Sequence, residues 1–241
     1  EWMPITLFHN QQGKLEKAVI PAFKDTEGWW NSILPVDVDR DGDLDYLVGN
    51  LGLNNPYDVS AEEPVKLFAK DFDANGTLDP IMAYHIQGKL HIAHARDAIN
   101  KQIVKMKKRF TNYASYAAAY FAQVLLPLER RDALTLTAKT FASCVIINDG
   151  NSSFRMKPLP IEAQLAPLNG MLLAGFDEQG KSALILAGND YSTRVDIGPY
   201  DAMFGLMMET SDSGELVPVP KHRSGIDIPG DARGVVQLFV G

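Results

Sequence analysis

A single cysteine, Cys144, excludes any internal disulfide. It lies in the apolar run Cys144-Val-Ile-Ile147, where burial rather than chemistry is expected. No apolar stretch approaches the roughly 20 residues a membrane span requires. Positive charge is also scarce: 23 Lys and Arg face 30 Asp and Glu, for a formal charge of -7 over 241 residues. With no zinc-finger, helix-turn-helix or RNA-binding signature beside it, that balance argues against nucleic acid. Nucleophile elbow, phosphate loop and zinc signature are all missing, so no motif nominates a catalytic residue.

What the chain does have is a pair of matching acidic loops. Asp37-Val-Asp39-Arg-Asp41-Gly42-Asp43-Leu-Asp45 and Asp71-Phe-Asp73-Ala-Asn75-Gly76-Thr77-Leu-Asp79 each carry side-chain oxygens at positions 1, 3, 5 and 9, with glycine at 6. Alternate side chains of such a loop point inward, glycine permits the sharp turn, and position 7 (Asp43, Thr77) can offer its carbonyl. Hard cations are wrapped in this way, and calcium is the expected ion. An EF-hand would need flanking helices and a bidentate Glu at position 12, which here is Val48 or Met82. The flanks Ser32–Val36, Leu44–Gly49, Val65–Ala69 and Leu78–Tyr84 read instead as strands, and Pro80 opposes a helix after the second loop.

A third copy is damaged. Leu172 to Asn189 aligns with Pro35 to Asn50, but Gly175, Gln179 and Ala183 replace the ligands, and Asp177 alone keeps its charge. This loop is expected to be metal-free, leaving about two calcium sites. Phe8–Leu15, Ile147–Phe154 and Leu206–Pro218 read as strand, tight polar turn, strand. Repeated short strands with a recurring cation loop suggest the radial sheets of a propeller, whose blades must stack to bury both faces.

The phrases Pro35–Asn50, Leu67–Tyr84, Arg96-Asp-Ala, Lys107-Lys-Arg-Phe110, Asn148-Asp-Gly150, Leu159–Pro167, Gly188-Asn189 and Gly230–Arg233 resemble the FG-GAP or VCBS repeat family of integrin-alpha-like β-propellers. The resemblance is to the large bacterial VCBS-repeat surface proteins of the Bacteroidetes type. It implies calcium held by Asp37, Asp39, Asp41, Asp45, Asp71, Asp73, Asn75 and Asp79, a secreted, periplasmic or cell-surface location, and a role in adhesion or ligand display. The length is short for a closed ring. The whole chain, 1–241, is therefore expected to be one mainly β unit of three or four blades, a partial propeller completed by further blades or by self-association. Its last run, Gly234–Gly241, reads as part of an apolar strand.

One region departs from the β pattern. Between 97 and 126 a helical insertion is expected, with one helix from Asp97 to Phe110 and another from Tyr113 to Leu126. The first carries Lys101, Lys105, Lys107, Lys108 and Arg109, either a solvated face or a contact surface for an acidic glycan, an anionic lipid headgroup or another part of the same protein. His85, His91 and His94 are close in sequence, but 91 and 94 would point to opposite faces of a strand, which is no natural zinc pair. Trp29, Trp30, Tyr57 and Tyr191 could stack on sugars or anchor a protein. The sequence is best read as a calcium-stabilised binding or scaffold module for a protein or glycan. The alternative is a carbohydrate-active propeller enzyme, a lyase or hydrolase, drawing on Asp190, Asp196, Asp201, Glu209, Arg194 and His222.

Overall fold

The computed structural model describes residues 1–176, 182–211 and 214–238. The chain is mainly β. Its strands are β1 (Phe8–Gln11), β2 (Lys14–Lys17), β3 (Ser32–Val36), β4 (Asp45–Gly49), β5 (Val65–Lys70), β6 (Asp79–Ile86), β7 (Lys89–Ile92), β8 (Leu134–Ala138), β9 (Cys144–Asn148), β10 (Phe154–Pro158), β11 (Leu168–Phe176), β12 (Ser182–Gly188), β13 (Leu206–Thr210) and β14 (Leu216–Val219). They form a β1-β2 hairpin and three four-stranded sheets, ordered β3-β4-β9-β10, β8-β5-β6-β7 and β11-β12-β13-β14, with all pairings antiparallel.

The first sheet is interrupted: the whole of the second sheet is inserted in sequence between β4 and β9. Alternation along these strands sets what each face meets. In β4 and β9, Leu47, Val145 and Ile147 turn to a core shared with Leu168, Leu184, Leu186 and Met208 of the third sheet. Their neighbours Val48, Cys144 and Ile146 turn the other way, onto Ile5, Phe23 and Trp30 of the N-terminal segment. In β6, Ile81 and Ala83 face the helices, whereas Met82 and Tyr84 face a junction with Leu51, Tyr57 and Phe141.

The two expected helices are four short ones: α1 (Arg96–Gln102), α2 (Met106–Arg109), α3 (Tyr113–Ala117) and α4 (Phe121–Val124). Breaks at Ile103, within the first expected helix, and at Tyr120, within the second, both in extended conformation, explain the difference. The broken chain brings Ile99, Ile103, Met106, Phe110, Phe121 and Val124 all into one buried cluster on Phe68 and Ile81. A fifth helix, α5 (Lys221–Ser224), follows β14. Residues 234–238 form no strand, contrary to the sequence reading; Val236 and Leu238 are 78% and 80% exposed, and the chain only passes close to Gly170 of β11.

Two buried asparagines tie the sheets together. Asn50, after β4, accepts the Trp29 and Leu51 N–H groups and donates to the Thr140 carbonyl at 3.1 Å. Asn189, after β12, accepts from Met203 N–H and donates to the Met203 and Gly230 carbonyls. The repeated Gly-Asn phrase is thus a junction element, placing buried amide groups where the backbone leaves donors and acceptors unpaired. Gly49 and Gly188 must be glycine because a Cβ would sit 2.1 Å from the Leu168 carbonyl and 2.0 Å from that of Pro167.

Candidate metal centres and a cleft at the sheet junction

Each acidic loop connects two antiparallel strands, β3 to β4 and β5 to β6. Their backbones repeat each other: position 4 is left-handed in both (Arg40 φ 64, Ala74 φ 62), as is the glycine at position 6 (Gly42 φ 95, Gly76 φ 86). No atom lies within 4 Å of a Cβ built on either glycine, so the conformation and not the space demands it. The position-1 carboxylates reach across to that glycine: Gly42 N–H donates to Asp37 Oδ2 at 3.2 Å and Gly76 N–H to Asp71 Oδ2 at 2.8 Å. Position 5 closes the turn, with Asp43 N–H donating to Asp41 Oδ1 and Thr77 N–H to Asn75 Oδ1.

The result is two carboxylate clusters, Asp37/Asp39/Asp45 and Asp71/Asp73/Asp79, in each of which ligand oxygens lie within 4.8 Å of one another. Both could hold a metal ion. Of the expected ligands, Asp41 and Asn75 are occupied in the turn through one side-chain oxygen. The side chain of Asp43 lies beside Gly150 of the β9–β10 turn, so it is the carbonyl at that position, as at Thr77, that remains the expected donor. Asp45 and Asp79 are fully buried, and burial pushes both carboxyls above the usual range, reinforced by the neighbouring aspartates. Buried and unpartnered are Asp37 Oδ1 and Asp73 Oδ1. Three crowded carboxylates, one of them out of water and another with an orphaned oxygen, fit a cation and are costly without one. The all-oxygen donor set suits a hard cation rather than a soft transition metal.

The surroundings of the two clusters differ. Asp45 is clamped by Val38 N–H on Oδ2 and by Asn148 N–H on Oδ1, both at 2.8 Å. Asp79 accepts the equivalent Phe72 N–H at 2.9 Å. At the second cluster the helical insertion closes over the loop: Val104 N–H approaches Asp73 Oδ2 at 3.4 Å, and Lys105 Nζ donates to the Phe72 carbonyl at 2.7 Å. Lys105 is shared with Glu129, which Arg109 grips through two nitrogens; that Arg109 bond first of all holds the Glu129 carboxyl down at about 2. The basic run of the first helix is therefore divided, with Lys105 and Arg109 acting as internal ties and Lys101, Lys107 and Lys108 left in solvent. Asn148 and Lys105 were not foreseen as parts of these sites; only the Asn-Asp-Gly turn hinted at the former. The third loop, around Asp177 and Gln179, lies outside the described residues.

His85, His91 and His94 join no metal-binding cluster among the described residues. His94 instead accepts the Met82 N–H on Nε2 at 3.1 Å, and its Nδ1 faces Arg194 at 3.3 Å; burial first, then Arg194, lowers it to about 4.

Where the second and third sheets approach the N-terminal segment, two adjoining clefts of about 580 and 440 Å³ open. They share a wall of Tyr57, Ile197 and Tyr200. Trp29 lies in an aromatic run with Trp2, Tyr57 and Phe141, while Trp30 is held by its indole N–H on the Thr26 carbonyl. The candidate acid–base residues are spread out. Asp196 pairs with Arg194 and Asp190 with Arg233, Asp201 lines the larger cleft, Glu209 is on β13 and His222 on exposed α5. The Arg194 hydrogen bond, above all, holds the Asp196 carboxyl below its usual range, which suits it to a fixed charge and not to a proton donor. Among the described residues no helix is long and apolar enough to cross a membrane. The chain matches no family model, and no curated protein or solved structure matches it.

Proposed function

We propose that this chain is a calcium-stabilised binding or scaffold module of the secreted or cell-surface kind, built of propeller-like blades and related to the FG-GAP/VCBS repeats. The observation that carries the metal reading is the pair of buried, unpartnered oxygens, Asp37 Oδ1 and Asp73 Oδ1, within carboxylate clusters of matching backbone geometry. Asp37, Asp39 and Asp45 would hold one ion, and Asp71, Asp73 and Asp79 the other. Calcium supplies charge neutralisation and a fixed corner between two strands, with the Asp43 and Thr77 carbonyls and water able to complete a shell of six to eight oxygens. An architectural role is favoured because each loop is bound on both sides to strands and ends on a buried carboxylate.

The blade reading rests on the consecutive β11-β12-β13-β14 meander and on the Gly-Asn junctions after β4 and β12. An arc of such blades leaves end faces for a second copy or for further blades to cover. The binding part of the reading rests on the aromatic clefts at the junction, with a protein or glycan as the ligand.

Equilibrium calcium binding to the intact chain and to D37A, D71A and the double variant tests the assignment. One ion fewer in each single variant and none in the double supports it; two ions retained by the double variant overturn it.

A further inference from the structure

We infer that the paired clefts at the sheet junction form a binding site for a neutral glycan, with Tyr57 and Tyr200 as its shared wall. This deepens the binding half of the proposed function and does not depend on the calcium assignment.

Three features of the walls point to that chemistry. Tyr57, Tyr84 and Tyr200 all line the larger cleft, and none of their hydroxyls has a hydrogen-bond partner among the described residues. Tyr57 is only 7% exposed, so its ring is fixed, held edge-on to Tyr84 with centroids 5.1 Å apart, while its unpartnered hydroxyl opens to the cleft. A hydroxyl carried on a ring already fixed by packing loses little freedom when it bonds a ligand hydroxyl.

The charged groups are compensated. Arg194, in the wall of the smaller cleft, is bound to Asp196 in the wall of the larger one. Arg233 is bound to both Asp190 and Asp231. Arg194 faces one carboxylate and Arg233 two, so neither leaves a net positive charge to anchor a phosphate or carboxylate, and exposed Asp201 in the larger cleft would repel one. Planar ion pairs of this kind still offer outward lone pairs and N–H groups at fixed spacing, which suit the hydroxyl rim of a sugar ring. The aromatic faces of Trp2 and Trp29 beside them suit its apolar C–H face. The clefts adjoin through a common wall, so the fit is to at least two linked sugars.

The test is affinity electrophoresis of the full chain through gels containing starch, xylan, galactomannan or mixed-linkage β-glucan, with polygalacturonate as an acidic comparison. Retardation by at least one neutral polysaccharide, weakened roughly tenfold in Y57F and in Y200F, is the expected result. Y120F, outside both clefts, should leave it unchanged. No retardation by any neutral gel, retardation by polygalacturonate alone, or full retention in a Y57F/Y200F double variant would overturn the proposal. Melting curves of every variant with and without calcium, run in parallel, report the metal sites separately.

Discussion

The carboxylate of Asp45 is gripped at both oxygens, by Val38 N–H and by the N–H of Asn148, 103 residues further along the chain. The second of these bonds ties the first acidic loop to β9 across the sequence that builds the whole second sheet. In millimolar calcium, D45A is expected to lose about 2–4 kcal/mol of stability or more, because two N–H donors are left without their acceptor and the ion loses a ligand. In chelator the loss should be smaller, since repulsion from Asp39 and Asp41 leaves with the charge. Urea unfolding under both conditions measures this, and equal losses would contradict it.

Asn50 has no exposed surface and its side chain serves four backbone partners. N50A should cost about 2–4 kcal/mol by leaving those groups unpaired. N50D should cost no less, because its new charge would face the Thr140 carbonyl. Thermal melting of the two variants checks the order.

Much of this was legible in the sequence, for identifiable reasons. The loops could be read because each ligand position is fixed by local spacing and each glycine by a left-handed turn. The strands around them could be read from their β-branched runs, and Phe8–Leu15 from its polar turn. Less accessible was anything decided over long range. The break of each predicted helix, at buried Ile103 and at the 118–120 turn, goes with packing four short pieces onto Phe68 and Ile81, which local periodicity does not report. The interruption of the first sheet between β4 and β9 is likewise set by pairing partners about a hundred residues apart. The Gly234–Leu238 run looked like a strand by composition, yet it passes edge strand β11 only near Gly170 and forms no ladder with it. Asn148, Lys105 and the tyrosine wall came together only through tertiary contact.

Lys105 should make the two metal sites unequal. Its ammonium lies on the Phe72 carbonyl and opposes the charge of the second cluster, whereas the cation near the first cluster is Arg155, held by Asp149. K105M is expected to tighten the second site about two- to fivefold and to leave the first unchanged, the effect being limited by solvent screening. Site-resolved calcium titration in a D37A background isolates it. Weaker binding in K105M would contradict this account.

His94 gives the fold a pH dependence of predictable sign. Its folded pKa of about 4 lies below the ordinary 6.5, so the unfolded chain takes up this proton first as pH falls. The contribution is fully present above about pH 6.5, is lost progressively toward pH 4, and amounts to about 3 kcal/mol. H94Q, which keeps an acceptor for Met82 N–H, should flatten that part of the stability–pH profile. A profile identical to that of the parent chain would rule the group out.

The most direct test of the central claim is calorimetric calcium titration of chelator-stripped protein, paired with melting curves at saturating calcium and in chelator. About two ions bound together with a clear rise in melting temperature is the expected result. No binding at millimolar calcium would contradict the metal assignment, and saturable binding without any rise in melting temperature would contradict the architectural role.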